Sequence, residues 1–370
     1  MRVALDARTA TEHFPGIGRY VAGLSSGIRE ADPRLPVRLL ADPRNTLSWR
    51  PPQWARIPAP WSPFSLSQHW KLKPALRRNG ITLYHSTYYP APSFRDIPTV
   101  WTCCDLIPLV FPRFFPRWQR VVFRIAHRVL VERCRHILAI SDSTRSDLLR
   151  FFPARPEKIS VIPLGVDSRF VPRGRDEIQG MRRRVGLPEK YVLYVGINKP
   201  HKNLVTLLKA WRDFRREARS SGDDVRLVLA GPWDERYPQA KAYAAREGLQ
   251  GEVLFVGPVE EDLLPSVYSG ARAFVFPSLY EGFGLPVLEA MACGTPVLCA
   301  HTSGLPEVCG DAALYFDPRQ YRTLAEGLRR VLEDAALRED LRNRGLDRAS
   351  AFSWARTARE TIRIYRKHSI

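Results

Sequence analysis

Apolar runs of five to seven residues recur along the chain and alternate with longer amphipathic stretches. Six runs occupy residues 3–7, 37–41, 82–86, 99–105, 136–141 and 158–164, and six more occupy 191–196, 226–231, 252–257, 273–278, 295–300 and 312–316. Strands of parallel sheets are apolar throughout because helices cover both faces of the sheet. The pattern therefore predicts an α/β protein with two doubly wound, Rossmann-like domains.

A polar, charged stretch separates the two sets of predicted strands. We interpret residues 171–189 as a linker with a short helix, between an N-terminal domain over 1–170 and a C-terminal domain over 190–349. Residues 350–370 predict a terminal helix, which we expect to pack back toward the N-terminal domain. Doubly wound sheets bind ligands beyond the carboxyl ends of their strands. The expected site is therefore a cleft between the two domains facing each other, assembled when they close.

The net charge of +19 in 370 residues is concentrated in the N-terminal part. Residues 1–170 carry 26 Lys and Arg against 12 Asp and Glu, whereas residues 171–370 carry 31 against 26. A negatively charged partner is therefore expected at the first half, either phosphate or an anionic membrane surface. No nucleic-acid-binding motif accompanies the charge, so we expect no nucleic-acid partner.

The cysteines and the chain start bear on the cellular compartment. The six cysteines form no CxxC pair, which favours free thiols in a reducing environment. The start, MRVALDART, has no apolar signal core, and no run reaches the ~20 apolar residues that span a bilayer. We expect a cytoplasmic protein, with peripheral contact to the inner face of a membrane left open. No cluster of ligand residues predicts a metal.

The segment YEGFGLPVLEAMACGTPV, residues 280–297, follows a predicted strand and contains a glycine-rich turn. Pro286 suits the first turn of a helix that Gly294 ends. Glycines let the backbone approach a ligand, and N–H groups at a helix N-terminus favour phosphate. The N–H groups predicted to do so belong to Phe283, Gly284 and Leu285.

Two glutamates border this turn, Glu281 before it and Glu289 in the predicted first helical turn. Carboxylates repel phosphate, but they accept hydrogen bonds well from vicinal diols. One carboxylate could hold a ribose and the other a second sugar, with phosphate between them, which predicts a nucleotide-sugar site. The alternative is an acid that stabilises its helix dipole beside an ordinary surface acid.

The string EGFGLPVLEAMACGTPV resembles the E-x7-E signature of the retaining glycosyltransferases of family 4, which have the GT-B fold. The resemblance implies that Glu281 lies by the donor sugar and orients it, that Glu289 binds the ribose, and that residues 283–285 contact sugar and phosphate. It implies hexosyl transfer from a nucleotide diphosphate sugar to a hydroxyl of a glycan or lipid-linked acceptor, with retention and without metal or other cofactor. Similarity to mannosyltransferases of polysaccharide assembly favours GDP-mannose slightly.

Two further segments resemble donor-binding parts of that family. YVGINKPHKNL, residues 194–204, resembles VG-x-x-x-P-R-K-N, which implies that Gly196, Lys202 and Asn203 contact the donor and that the lysine neutralises the leaving diphosphate. His201 stands where arginine is usual, and a neutral histidine brings less charge. We assign it to donor binding with its role left open. VGPVEEDLLPSVYSGA, residues 256–271, resembles the nucleobase region, which assigns Val259 to the donor.

Three motifs of the first half carry further candidate residues. FPGIGRY, residues 14–20, resembles the family's first loop, so Gly16 and Gly18 are expected to approach the donor phosphates, and Arg19 is either a ligand or a solvated charge. TCCDLIPL, residues 102–109, resembles T-x-H-D-L-I-P-L. Asp105 is retained and assigned to catalysis, whereas Cys104 replaces a histidine that faces the donor sugar. His85, in YHSTYYP, lies near the site or is a packed structural histidine.

Cysteine cannot reproduce the hydrogen bonds or charge of imidazole near neutral pH. Either another group substitutes for the missing histidine, the donor differs, or activity is weak or absent. Two alternatives therefore stay open: a nucleotide-sugar-binding partner of a glycan assembly complex, and an enzyme like the nucleotide-sugar 2-epimerases.

The stretch FPRFFPRWQRVVFRIAHRVLVERCRH, residues 111–136, contains seven arginines and one acid. From Arg117 to Arg128 the arginines recur every three or four residues, which places them on one helical face. Basic amphipathic helices with aromatic residues bind anionic membrane surfaces. The alternative is a helix with one face in the core and a solvated cationic face.

Overall fold

The computed structural model describes residues 1–11, 15–44, 54–218 and 224–369. They form two compact units, one from Met1–Gly165 together with Phe352–Ile370, and the other from Val166–Ala351. The terminal segment thus belongs to the first unit, and the residues predicted as a linker belong to the second.

Within its described residues, the first unit contains a sheet of seven parallel strands. They are β1 (Val3–Asp6), β2 (Val37–Ala41), β3 (Arg56–Pro58), β4 (Leu83–Ser86), β5 (Thr99–Cys103), β6 (His136–Ala139) and β7 (Ile159–Val161). The helices between them are α1 (Pro15–Ala31), α2 (Gln68–Arg78), α3 (Ile107–Val110), α4 (Arg117–Arg133) and α5 (Asp142–Phe151). The strand order is β3-β2-β1-β4-β5-β6-β7. Successive strands are added on one side of β1 up to β3 and on the other side from β4 onward, so the switch point of the sheet lies between β1 and β4.

The second unit contains a six-stranded parallel sheet in its described residues. Its strands are β8 (Tyr191–Val195), β9 (Arg226–Ala230), β10 (Val253–Gly257), β11 (Ala273–Phe276), β12 (Val297–Ala300) and β13 (Ala313–Phe316). Its helices are α6 (Arg175–Val185), α7 (Leu204–Ala218), α8 (Gln239–Arg246), α9 (Leu264–Ser269), α10 (Leu285–Ala292), α11 (Leu305–Cys309), α12 (Tyr321–Glu333) and α13 (Ala335–Ser350). The order β10-β9-β8-β11-β12-β13 reverses between β8 and β11.

Each of the twelve apolar runs contains a strand, which confirms the predicted doubly wound α/β architecture. The sequence pattern missed β3, because only Ile57 of its three residues is buried. This strand lies at the edge of its sheet and pairs with β2 alone in the sheet order. An edge strand of this length does not produce an apolar run.

The terminal helix α14 (Trp354–His368) packs against α1. Two glycines one turn apart on α1 make the close approach possible. A Cβ atom on Gly23 would lie 2.0 Å from Cε2 of Trp354, and one on Gly27 would lie 2.1 Å from its carbonyl oxygen. The glycine spacing is therefore the sequence feature that fixes where α14 docks.

His85 connects α14 to the sheet as a packed structural histidine. Its side chain is fully buried, and its Nδ1 lies 2.5 Å from the Tyr365 hydroxyl. Its Nε2 lies 2.8 Å from Thr102 Oγ1, which also bonds the Tyr20 hydroxyl at 2.7 Å. Burial lowers the pKa of His85 to about 3, so the imidazole is neutral. Both ring nitrogens are used inside the first unit.

Among the described residues, no helix is both long enough and apolar enough to cross a membrane. All six cysteines are free thiols, as the spacing predicted.

We predict that the first unit loses stability as pH falls below about 6.5, the value at which an unfolded histidine titrates. Burial lowers the pKa of His85 and of His127 to about 3, so protons bind the unfolded chain first. Each histidine should cost about 1.4 kcal/mol of unfolding free energy per pH unit in this window. Urea titrations between neutral pH and pH 4 measure the slope.

The variant His85→Gln should make that slope shallower, whatever its effect on absolute stability. His69→Gln is the matched control, because His69 is exposed on α2. Equal slopes for the wild type and His85→Gln would contradict the assignment.

Candidate active site

Lys202 and Glu281 meet at the carboxyl edge of the second sheet. They lie in the loops that follow β8 and β11, the neighbouring strands at which the strand order reverses. Doubly wound sheets open a ligand crevice at this switch point. Lys202 Nζ lies 2.6 Å from Glu281 Oε1, and the two side chains are 15% and 13% exposed. Lys202 Nζ also lies 5.3 Å from the centre of the Phe276 ring.

The loop that carries Lys202 turns sharply at two positions. Gly196 leaves β8 with a φ of 155°, and a Cβ atom there would lie 2.7 Å from the Tyr194 hydroxyl. Asn203 adopts a left-handed φ of 61°. Its side-chain nitrogen donates to the carbonyls of Pro277, at 3.1 Å, and Pro318, at 2.8 Å. The amide predicted to contact the donor thus ties three loops of the protein together.

His201 lies next to Lys202 and is buried, 5% exposed. Its carbonyl accepts a hydrogen bond from the Leu279 N–H at 2.7 Å. Burial lowers the pKa of His201 well below its usual value, and Lys202 and Lys199 lower it further. The imidazole is neutral near pH 7, so the positive charge of this segment resides on Lys199 and Lys202 and not on His201.

The loop after β12 holds the backbone of Glu281. The Glu281 N–H donates to Ser303 Oγ at 2.8 Å, and the Gly304 N–H donates to the Glu281 carbonyl at 3.2 Å. Ser303 has a φ of 49°, which is uncommon for a residue other than glycine. Sequence reasoning missed these two residues. The signal was the small, polar HTSG cluster directly after a predicted strand.

The glycine-rich turn and its helix agree with the prediction. Gly284 precedes α10 with a φ of 116°, and a Cβ atom there would lie 2.7 Å from Leu305 Cδ2. Pro286 lies in the first turn, and Gly294 follows the helix with a φ of 70°. Phe283 is buried, and Leu285 begins the helix. Residues 283–285 therefore stand at a helix N-terminus, where an anion is stabilised.

Glu289 lies one turn further along than predicted. It is the fifth residue of α10, because the left-handed Gly284 is outside the helix and Leu285 begins it. The predicted first-turn position was therefore wrong. The side chain is 3% exposed, and one carboxylate oxygen accepts a 2.9 Å hydrogen bond from the Tyr268 hydroxyl. Tyr268 belongs to α9 and was not predicted as a site residue.

Val259 lies in the loop after β10, at the same carboxyl edge of the second sheet. The strand β10 is two positions from β8 in the sheet order. Neighbouring strands are spaced by about 4.8 Å, so the end of β10 lies roughly 10 Å from the end of β8. Val259 is half-buried.

The predicted glycine loop of the first unit is helical. Gly16 and Gly18 lie within the first turn of α1, which begins at Pro15, so their assignment to a loop was wrong. Proline is favoured at this position because its φ is already helical. Arg19 follows in the same helix and is half-buried. Phe14 of the motif lies outside the described residues.

Asp105 and Cys104 follow β5 at the carboxyl edge of the first sheet. The Asp105 carboxylate accepts a hydrogen bond from the Ile107 N–H at 3.1 Å and so helps to begin α3. Burial, together with the neighbouring Asp105, raises the pKa of the Cys104 thiol to about 12. Cys104 therefore stays a neutral thiol near pH 7 and cannot act as a general base.

Both halves of the chain match families of known glycosyltransferases. Residues 15–170 match the family described as Glycosyltransferase Family 4, and residues 179–348 match Glycosyl transferases group 1. O-antigen chain mannosyltransferase B from Escherichia coli is 34% identical over 297 residues, which cover 79% of this chain and 76% of that protein. The chain belongs to the group 1, family 4 glycosyltransferases.

Two further comparisons support the assignment of this glycosyltransferase. The serotype-specific mannosyltransferase WbdA from Escherichia coli is 29% identical over 71% of this chain, but the match spans only 33% of that longer protein. The solved structure of sucrose-phosphate synthase from Thermosynechococcus elongatus superposes with a TM-score of 0.77 at 23% identity, covering 99% of this chain and 98% of that one. The fold is GT-B, as predicted.

We predict that Gly284→Ala destabilises the second unit of this glycosyltransferase by about 1–3 kcal/mol, because an alanine would carry the strain of a left-handed backbone and contact Leu305. Gly180→Ala is the matched control. Gly180 lies within α6, where an added Cβ meets open space, so alanine should be neutral or stabilise by up to about 1 kcal/mol. Urea unfolding of both variants measures the difference, and equal loss in both would contradict the strain.

Proposed function

We propose that this glycosyltransferase moves a hexosyl group from a nucleotide diphosphate sugar to a hydroxyl of a glycan or lipid-linked acceptor. Transfer would retain the α configuration and need no metal. The observation that carries the proposal is the Lys202–Glu281 ion pair of 2.6 Å at the switch point of the second sheet. An ion pair this poorly exposed is costly to keep in a fold for stability alone.

Lys202 supplies a compact positive charge that suits a diphosphate. As the bond from the sugar to the diphosphate breaks, negative charge grows on the diphosphate. Lys202 and the N-terminus of α10, at Gly284 and Leu285, would stabilise that charge without moving. His201 contributes no charge, because burial keeps it neutral.

Glu281 would orient the donor sugar and not attack it. Its carboxylate is fixed by Lys202 on one side, and its backbone is fixed by Ser303 and Gly304. Fixed acceptors of this kind suit the hydroxyls of a sugar. Glu289 would accept a hydrogen bond from the ribose, held in place by Tyr268. Asp105 would lie on the acceptor side of the reaction.

Mannose is the sugar we favour, with GDP as the nucleotide. The support is that the two curated relatives described above are both named mannosyltransferases. We further propose that the protein acts on the cytoplasmic face of a membrane, in the assembly of a cell-surface polysaccharide. A binding partner without turnover is the second candidate, because Cys104 is a neutral thiol where the motif T-x-H-D-L-I-P-L, which residues 102–109 resemble, has histidine.

We predict that one nucleotide sugar from a panel of GDP-mannose, UDP-glucose and UDP-N-acetylglucosamine raises the melting temperature and releases free nucleotide diphosphate slowly. Lys202→Ala should lower turnover about 10²- to 10³-fold, because it removes the charge that stabilises the leaving group. Glu289→Ala should weaken stabilisation by the donor. Thermal shift and product chromatography measure both effects.

Lys209→Ala is the matched control for Lys202→Ala, because Lys209 is an exposed lysine on α7 of the same unit. A protein that no donor stabilises would contradict the site. A donor that binds without release of nucleotide, even with membrane extract as acceptor, would identify a binding protein. A new nucleotide sugar among the products would identify an epimerase.

We also propose that α4 docks on an anionic membrane. The helix has two apolar faces. Phe123, Leu130 and Val131 belong to the core of the first unit. On the opposite side, a solvent-facing apolar stripe consists of Trp118, Val121, Val122, Ile125 and Val129, with exposures from 40% to 66%. The alternative of one core face and one solvated cationic face did not include this stripe.

Arginines border the exposed stripe of α4. Arg117, Arg124 and Arg128 are exposed, and Arg120 is half-buried. At about 100° per residue they form a row along one edge of the stripe. An apolar stripe beside a cationic row is complementary to an anionic lipid surface, where the apolar residues enter the interface and the arginines meet the headgroups. A lipid-linked acceptor would be reached from such a position.

We predict that the protein floats with vesicles of phosphatidylglycerol and phosphatidylcholine, and that binding falls as salt rises. Replacing Trp118 and Ile125 together by serine should weaken binding at least about tenfold. Trp70→Ser is the control, because Trp70 is an equally exposed tryptophan, 63% against 66% for Trp118, that belongs to α2 and not to α4. Equal flotation of the two variants, or equal binding to pure phosphatidylcholine, would contradict the proposal.

A further inference from the structure

Aromatic rings gather at the carboxyl edge of the first sheet, in the loops that follow β3 and β4. The centres of the Phe64 and Tyr88 rings are 5.2 Å apart, with an angle of 75° between their planes. The Tyr88 and Tyr89 rings are 4.4 Å apart. Phe64 is 50% exposed, and Tyr88 is half-buried. Large aromatic surface is normally buried, so a half-exposed ring packed on a second aromatic ring at the ligand edge of a doubly wound sheet indicates a binding surface.

A buried glutamine fixes the two loops to each other. Gln68 begins α2 and is 1% exposed. Its side-chain nitrogen donates to the carbonyl of Pro63, next to Phe64, and to the carbonyl of Pro90, two residues after Tyr88. Both loops are therefore held by a single side chain, and the two rings have a defined relative position.

A buried ion pair anchors that glutamine in turn. Arg8 donates to Gln68 Oε1 at 3.1 Å and to Asp6 Oδ2 at 2.7 Å. The Tyr84 hydroxyl donates to the same carboxylate oxygen at 2.6 Å. Asp6 ends β1 and Tyr84 lies in β4, the strands at which the order of the first sheet reverses. The aromatic pair is thus attached to the switch point of its sheet.

Tyr88 follows the strand next to the one that Asp105 follows, and Asp105 is the residue that we place on the acceptor side of the reaction. The strands β4 and β5 are neighbours, so Tyr88 and Asp105 follow adjacent strand ends. Burial raises the pKa of Tyr88 above its usual range, and the neighbouring Tyr89, Asp105 and Cys104 raise it further. The phenol therefore keeps its proton near pH 7, and it shares a side-chain hydrogen bond with Tyr89. Phe64, whose side chain is 50% exposed, is the member of the pair that is more open to solvent.

We infer that Phe64 and Tyr88 form a platform for a pyranose unit of the acceptor glycan. One face of a pyranose ring presents C–H groups, which pack on the electron-rich face of an aromatic ring, while its hydroxyls point sideways toward polar groups. Phe64 supplies the more exposed ring, and Tyr88 supplies a second ring in the loop beside the one that carries Asp105. The inference rests on the proposed function, since it names the acceptor site of that reaction.

Saturation-transfer NMR without donor tests the platform on the full chain. The probes are free trisaccharides of α-linked mannose, α-linked glucose and α-linked galactose. At least one should receive saturation at its ring C–H protons. Phe64→Ala should weaken its binding about tenfold, and Phe64→Trp should retain it, because tryptophan keeps an aromatic face. Tyr88→Phe separates the ring from its hydroxyl and should weaken binding less than Phe64→Ala.

Trp70→Ala is the matched control. Trp70 is 63% exposed on α2, and it lies two residues after the buried Gln68, about 200° around the helix from it. Unchanged binding by Phe64→Ala, equal loss by Trp70→Ala, or no binding of any trisaccharide to the wild type would overturn the inference.

Donor binding is measured separately by the thermal shift of each variant with nucleotide sugar. Phe64→Ala should leave that shift unchanged, because Lys202, Glu281 and Glu289, the donor residues of the proposed mechanism, lie in the second unit. A wild type that binds trisaccharide but no nucleotide sugar would contradict the proposed function and leave the platform standing. A wild type that binds the donor but no trisaccharide would overturn the platform and leave the proposed function standing.

Discussion

The Lys202–Glu281 ion pair is the interaction on which the chemistry of this protein depends. Both groups are largely removed from water, and removing one partner from such a pair typically costs about 3–5 kcal/mol, because the other charge is left without compensation. The pair forms where two loops of the parallel sheet come together. The strand order supplies that place, since β8 and β11 are neighbours although two strands separate them in sequence. A diphosphate arriving at Lys202 would find a cation already fixed in position.

Three constrained loop residues hold this geometry. Asn203 and Ser303 adopt left-handed backbone conformations, and Gly284 adopts one that glycine alone tolerates easily. The strain of the two residues other than glycine is offset by specific contacts: two carbonyls accept from the Asn203 amide, and the Ser303 hydroxyl accepts from the Glu281 N–H. Strain of this kind persists only where the surroundings determine the conformation. Rigid loops on a rigid sheet suit a site that stabilises charge by being preorganised.

The first unit uses its buried polar groups differently. His85 binds Tyr365 and Thr102 and joins the terminal helix to the sheet, so it contributes to folding and not to chemistry. The Asp6–Arg8 pair continues through Gln68 to the aromatic loops. Both networks start from strands near the switch point. One runs into the core, and the other runs to the ligand edge, where the proposed acceptor platform lies.

The sequence by itself determined the sheets, the order of the motifs and the family. Twelve of the described strands appeared as apolar runs, because strands buried on both faces must be apolar throughout. The string from Glu281 to Glu289 indicated a nucleotide-sugar site, because glycines, a helix-starting proline and two acids coincide there. Patterns of this kind depend only on residues that are close together in the sequence, so they can be recognised from the sequence alone.

Only the tertiary structure decided which of those residues meet and which are used elsewhere. Lys202 and Glu281 are 79 positions apart in the sequence, and the strand order brings them together. The side-chain amide of Asn203, which we expected to contact the donor, instead donates to the carbonyl of Pro277. His85 is paired with Tyr365, 280 positions away. The start of α1 at Pro15 and the position of Glu289 on α10 were missed, because capping geometry depends on backbone angles. Contacts between residues that are far apart in the sequence leave no periodic pattern in it, so they are determined only by how the elements pack in the folded protein.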